Sequence, residues 1–125
     1  MRATPWRRIP SHALLALVLL APFQAKAFEP QEGGAAIYAK RFNGRPMANG
    51  RPFDPAASHA AHRHLPFGTV AEVINLRNGA RTRVVISDRG PFTPGRIIDL
   101  SPRSARELGI NGVGRVEIRP VVDSD

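Results

Sequence analysis

From Arg81 to Asp88 the chain alternates, with Thr82, Val84, Ile86 and Asp88 on one side and Arg81, Arg83, Val85 and Ser87 on the other. A period of two places alternate residues on opposite faces of a strand. The side with two arginines faces water, so the pattern predicts that Asp88 ends an inward-facing row at the mouth of a barrel or sandwich. Residues 69–76 are equally rich in β-branched side chains, and Asn78-Gly79 supplies the positive φ of a tight turn. Residues 69–76 and 80–87 are therefore expected to form a hairpin.

Other segments are shorter. Residues 35–39 read as a first strand behind a linker at 28–34, and residues 97–100 as a further strand. Residues 114–122 read as the last strand, with Val116, Ile118 and Pro120 alternating against Arg115, Glu117 and Arg119. Between them Ser101 is a helix cap, Pro102 suits the first helical position, and Leu108-Gly109 marks the end, with Ala105 and Leu108 facing the core. Ala60-Ala61-His62 leads through Leu65-Pro66-Phe67-Gly68, a tight turn into the next strand. Residues 40–58 lack a period, broken by Gly44, Pro46, Asn49-Gly50, Pro52 and Pro55. Irregular stretches this long usually shape binding surfaces; Phe42, Met47 and Phe53 are expected to pin this one down. Five or six short strands and one helix predict an all-β domain over residues 35–122, a small closed barrel, with a tail at 123–125.

The chain has 125 residues, no cysteine and a formal charge of +8. Its start changes how that charge is read. Arg2, Arg7 and Arg8 precede an apolar run at residues 13–22, followed by Ala25-Lys26-Ala27, the pattern of an export signal over residues 1–27. The run is too short for a stable membrane span, and there is no cysteine to carry a lipid. Removing residues 1–27 takes away Arg2, Arg7, Arg8 and Lys26 and no acids, which leaves +4. That modest charge argues against nucleic acid and suits an anionic cell-wall polymer. The mature chain is long enough for one domain with a small core held by packing alone.

Asp88 is the leading candidate for chemistry. At a barrel mouth its carboxylate loses part of its solvation while Arg89 pulls the other way; the alternative is an Asx turn ahead of Gly90-Pro91. His62 is either a partner that orients Asp88 or stabilises charge, or a histidine bonded to backbone. His59, His62 and His64 lack a fourth ligand, so no metal or other cofactor is expected. Asp99 reads as a structural acid bonding backbone or pairing with Arg96. Tyr38 and Phe92 suit either the lining of a binding groove or core packing. Gly90 and Gly95 read as turn residues with positive φ.

Several blocks in unbroken order carry a resemblance. Gly44-Arg45-Pro46-Met47-Ala48-Asn49-Gly50, Phe53-Asp54, Ala60-Ala61-His62, Leu65-Pro66-Phe67-Gly68-Thr69, Val73-Ile74-Asn75-Leu76, Asp88-Arg89-Gly90-Pro91-Phe92 and Gly95-Arg96-Ile97-Ile98-Asp99-Leu100-Ser101 closely resemble the rare lipoprotein A (RlpA) family. The resemblance implies a six-stranded double-psi β-barrel, shared with expansins and some endoglucanases. It also implies a periplasmic lytic transglycosylase that cuts peptide-poor peptidoglycan strands, with other cell-wall or division proteins as further partners. Carried over by position, the functional pair is Asp88 and His62; beside them, Tyr38, Asn49, Arg51, Arg89 and Phe92 are expected to bind substrate. The chain departs from the family at Arg51, where a glutamate is usual, and at Ile37-Tyr38-Ala39, where Trp-Tyr-Gly is usual. A non-catalytic, expansin-like wall-binding module is the second reading.

The export reading is directly testable. N-terminal sequencing of the protein from the cell envelope should begin at Phe28; a start at Met1 would mean a retained anchor.

Overall fold

The computed structural model describes residues 28–121. The expected export segment, Val122 and the expected tail lie outside the described residues.

The alternating run forms β4 (Arg81–Asp88), and its hairpin partner is β3 (Val70–Asn75). Gly79 takes φ +78° in the turn between them, as the Asn-Gly pair predicts. The other strands are β1 (Gln31–Ile37), β2 (His59–Ala61), β5 (Arg96–Leu100) and β6 (Gly114–Pro120). They close into a barrel in the order β1-β5-β2-β4-β3-β6. Pairs β1–β5 and β2–β4 run parallel and the others antiparallel.

The barrel interior is apolar. Val84 and Ile86 of β4, Ile98 and Leu100 of β5, and Val116 and Ile118 of β6 are fully buried there with Val73 of β3. Among the described residues one α-helix, α1 (Pro102–Leu108), packs on β4 and β5 and buries Ala105 and Leu108. Ser101 caps it by accepting the Ser104 N–H, and Gly109 ends it at φ +73°. The last carbonyl, that of Leu108, accepts side-chain N–H groups from Asn75 at 2.8 Å and Asn78 at 3.1 Å. Those two bonds tie the hairpin turn to the helix end and satisfy a carbonyl that the helix itself leaves free.

Three expectations are corrected. β1 begins at Gln31, so Gly33 and Gly34 are strand residues and not linker. Close approach explains them: a Cβ on Gly33 would lie 2.7 Å from Ile97 Cγ2, and one on Gly34 3.1 Å from the Gly95 carbonyl oxygen. β2 was hidden because only three residues pair, two of them alanines of weak strand preference. Finally, Met47 and Phe53 are buried and pin the irregular stretch as expected, but Phe42 is exposed. The Arg41 guanidinium lies over the Phe42 ring instead, 4.6 Å from its centroid.

Gly33→Ala should lower the unfolding free energy by about 1–3 kcal/mol, because the stiff β-branched Ile97 cannot withdraw without moving β5. Denaturant unfolding of the two proteins measures it. An unchanged midpoint would show that the β1–β5 contact spreads freely.

Candidate active site

The pairing of β2 with β4 starts in register, His59 opposite Val85 and Ala60 opposite Ile86, and then slips so that Ala61 stands opposite Asp88. Ser87 is the extra residue, a β-bulge that re-aims the side chain after it. Ala61 is also opposite Asp99 of β5, and Asp99 is opposite Ala36 of β1. Residues directly opposite in a ladder share a face of the sheet. Ala36, Asp99, Ala61 and Asp88 thus form one row on the outer face, with a carboxylate on either side of the Ala61 methyl. The expectation that Asp88 ends the inward row with Ile86 is corrected by this bulge. Ser87 is itself buried, its hydroxyl donating to the Val85 carbonyl at 3.1 Å and lying 3.2 Å from His59 Nδ1.

Three donors converge on the Asp88 carboxylate. Oδ1 accepts the Ala48 N–H at 2.7 Å and the Arg89 N–H at 2.9 Å, and Oδ2 accepts the Tyr38 hydroxyl at 2.6 Å. Ala48 reaches it because residues 44–53 fold back on themselves. The Gly44 N–H donates to the Phe53 carbonyl and the Phe53 N–H to the Arg45 carbonyl, Met47 donates to Arg51, and the Asn49 N–H reaches the Ser87 carbonyl. Phe53 anchors both partners, buried under the loop and stacked on Tyr38 with ring centroids 4.2 Å apart. Burial, the bond to Asp88 and the charges of Asp88 and Asp99 hold the Tyr38 hydroxyl well above its ordinary pKa, so it remains a donor.

Asp88 opens into a hollow of about 440 Å³ lined by Tyr38, Arg41, Arg89, Arg96 and Asp99. Asp99 is half-buried, and burial raises its pKa against the pull of Arg96, with Asp88 adding to the rise. No ion pair joins it to Arg96 among the described residues. Asp99, expected to be a structural acid, lies in the same hollow as Asp88. The signal that could have brought it forward is its outward position between two inward-facing residues, Ile98 and Leu100.

The other candidates spread out. His62 is buried, and its backbone N–H donates to the Asp88 carbonyl at 3.2 Å, but its ring turns away from the carboxylate. Nδ1 accepts the backbone N–H groups of His64 and Leu65 at 3.0 and 3.1 Å. The hydrogen therefore sits on Nε2, which donates to Gln31 Oε1 at 2.9 Å. His59 bonds Ser87 in a separate hollow, so the three histidines do not converge. The Arg89 guanidinium binds the His62 and Leu65 carbonyls at 3.2 and 2.9 Å and lies 4.0 Å over the Phe67 ring. Asn49 and Arg51 line the hollow that holds His59 and Asp54, on the far side of the 44–53 loop. Phe92 is 73% exposed at the tip of the loop after Asp88.

Burial, then the charges of His64, Arg63 and Arg89, pull the His62 pKa down to about 4. The unfolded chain therefore binds a proton more readily than the folded one. The stabilisation from neutral His62, roughly 3 kcal/mol, is complete above about pH 6.5 and is lost as the pH falls towards 4. Unfolding of the protein and of His62→Gln across that range should show a steep fall in the first and a flatter curve in the second.

Comparisons with known proteins accord with this geometry. The family model described as lytic transglycolase matches residues 30–120. A probable endolytic peptidoglycan transglycosylase RlpA of Synechocystis is 54% identical over 88 residues, covering 69% of this chain and 27% of that one. A counterpart in Nostoc is 52% identical over 90 residues, covering 70% of this chain and 24% of its own. The chain thus spans about a quarter of the length of these relatives. Among solved structures, an expansin of Clavibacter michiganensis superposes with a TM-score of 0.59 at 24% identity, covering 78% of this chain and 52% of that one. The Streptomyces papain inhibitor superposes with 0.57 at 21%, covering 79% and 100%. These likenesses show the fold, a double-psi β-barrel. With the family model spanning the whole barrel, from β1 to β6, the chain belongs to the lytic transglycolase family.

Proposed function

We propose that this protein is an exported, periplasmic peptidoglycan lytic transglycosylase that cuts peptide-poor glycan strands, with Asp88 as general acid and base. The observation that carries the reading is the Asp88 carboxylate, fixed by three donors at the edge of an open hollow. The names of the similar RlpA proteins support the substrate and reaction class.

The reaction suits a site of this kind. The C6 hydroxyl of the muramyl residue attacks its own anomeric carbon, forming the C1–O6 bond as the C1–O4 bond breaks. Asp88 gives its proton to the departing O4 and takes the C6 hydroxyl proton, which restores the starting state without water. A hydrolase needs a second carboxylate to activate water or to form a covalent sugar intermediate; internal attack does not. Positioned acid–base groups contribute about 10²–10⁴-fold.

Peptide-free glycan strands incubated with the purified protein should yield anhydro-ended fragments by mass. Hydrated ends would mean a hydrolase, and intact strands would favour an expansin-like binding module. Asp88→Asn should lower turnover about 10²–10⁴-fold while the melting temperature changes little. The amide oxygen still accepts the Ala48 and Arg89 N–H groups, and its NH2 donates to the Tyr38 oxygen. Wild-type turnover in this variant would remove Asp88 from the chemistry.

A further inference from the structure

An ionised carboxylate offers about four lone-pair positions, two on each oxygen. In Asp88 both positions on Oδ1 are taken by backbone donors, Ala48 and Arg89. One position on Oδ2 is taken by Tyr38. The single open position lies on Oδ2, beside the phenol. Tyr38 is not free to turn away from it. Its ring is stacked on buried Phe53 and meets Phe42 edge-on at 5.9 Å.

We propose that Tyr38 is a positioning residue for Asp88, whose hydroxyl holds the carboxyl group so that Oδ2 is the one oxygen that exchanges a proton with the sugar. This reassigns Tyr38 from a sugar-stacking platform to the support of the acid, and it rests on the reading of Asp88 as the proton carrier. Both halves of the reaction then run through one atom: Oδ2 delivers the proton to O4 and collects it from the C6 hydroxyl. The phenol keeps its own proton throughout, because burial and the adjacent carboxylates disfavour its anion. Other charged groups around the hollow come from separate elements: Arg96 and Asp99 from β5, Arg41 from the turn after β1, and Arg89 from the loop after Asp88. His62, bonded through its backbone to Asp88, is neutral at pH 7. None of these donates to Oδ2 among the bonds of the described residues, so Tyr38 alone occupies that oxygen.

Tyr38→Phe separates the two roles. It keeps the ring, its stacking on Phe53 and any apolar contact with sugar, and it removes only the hydroxyl. The deciding measurement is the carbon-detected NMR titration of the Asp88 side chain in protein labelled at aspartate. Loss of a hydrogen bond to the charged form should move that titration, and the matching limb of the kcat/KM profile, upward by about one to two pH units. At the variant's own optimum kcat should fall about tenfold or more with KM within about threefold, since orientation and not binding is lost. An Asp88 titration within about 0.3 units of wild type, a bond then worth less than about 0.4 kcal/mol, overturns the proposal. Phe53→Leu, which leaves the hydroxyl but loosens the ring, should move the titration in the same direction by less. The titration needs no turnover: if it shifts in Tyr38→Phe while the wild-type protein leaves glycan strands intact, Tyr38 still holds the Asp88 carboxyl group, but the lyase reading falls and proton exchange through Oδ2 falls with it. If the wild-type protein cuts strands and Tyr38→Phe titrates and turns over as it does, the lyase reading stands and the positioning role falls.

Discussion

Between Ala60 and Ala61 the parallel ladder of β2 and β4 slips by one residue, and the arrangement of the outer face follows from that slip. Had the alternation of β4 continued, Asp88 would have followed Val84 and Ile86 into an interior of Ile, Val and Leu side chains. A carboxylate there, unpaired, costs several kcal/mol and is tolerated only by losing its charge. The extra residue absorbs the conflict. Ser87, its hydroxyl bonded to the Val85 carbonyl and lying beside His59, is covered by the 44–53 loop, and Asp88 comes out beside Ala61 and Asp99. In that row the small Ala36 lines the hollow beside Asp99, and the small Ala61 stands between the two acids.

Once Asp88 is outside the core, its orientation depends on elements far away in the chain. Ala48 belongs to a loop that would have no reason to stay in place but for its own backbone bonds and the burial of Met47 and Phe53. Tyr38 lies just past the end of β1, fifty residues before Asp88. Phe53 joins the two supports, packed under the loop and against the Tyr38 ring. The donors are thus in place before any ligand arrives, which is the condition under which fixed dipoles are most effective.

A second set of contacts holds the frame around the acid. The neutral ring of His62 closes the turn at His64 and Leu65 and reaches back to Gln31 of β1. Arg89 binds the carbonyls of that same turn and covers Phe67. Both are next to Asp88 in sequence or through a backbone bond, and neither side chain bonds its carboxylate. Arg51, standing where the resemblance expects a glutamate, lines the hollow beyond the loop with His59 and Asp54. The change in charge at position 51 therefore falls in a different hollow from the one that Tyr38, Asp88 and Asp99 share.

Much of the barrel was legible because its signals are local. The alternation of β4 and β6, the Asn78-Gly79 turn, and the Ser101, Pro102 and Gly109 punctuation of α1 each act within a few residues, where steric and hydrogen-bonding preferences are strong. The ordered blocks also pointed to Asp88 and His62. What the residues alone did not determine is where those side chains point. The slip at Ser87 arises from the pairing of β4 with a strand more than twenty residues earlier, so the period of β4 read by itself sends Asp88 to the wrong face. Gly33 and Gly34 look like a linker until Ile97 and Gly95 come against them. The Gln31 bond of the His62 ring, the Tyr38 bond and the place of Asp99 beside Ala61 all depend on neighbours 31 to 50 residues away in the chain. Local preference names the strand; only the closed barrel, which sets register between distant strands, decides which face of it carries the acid.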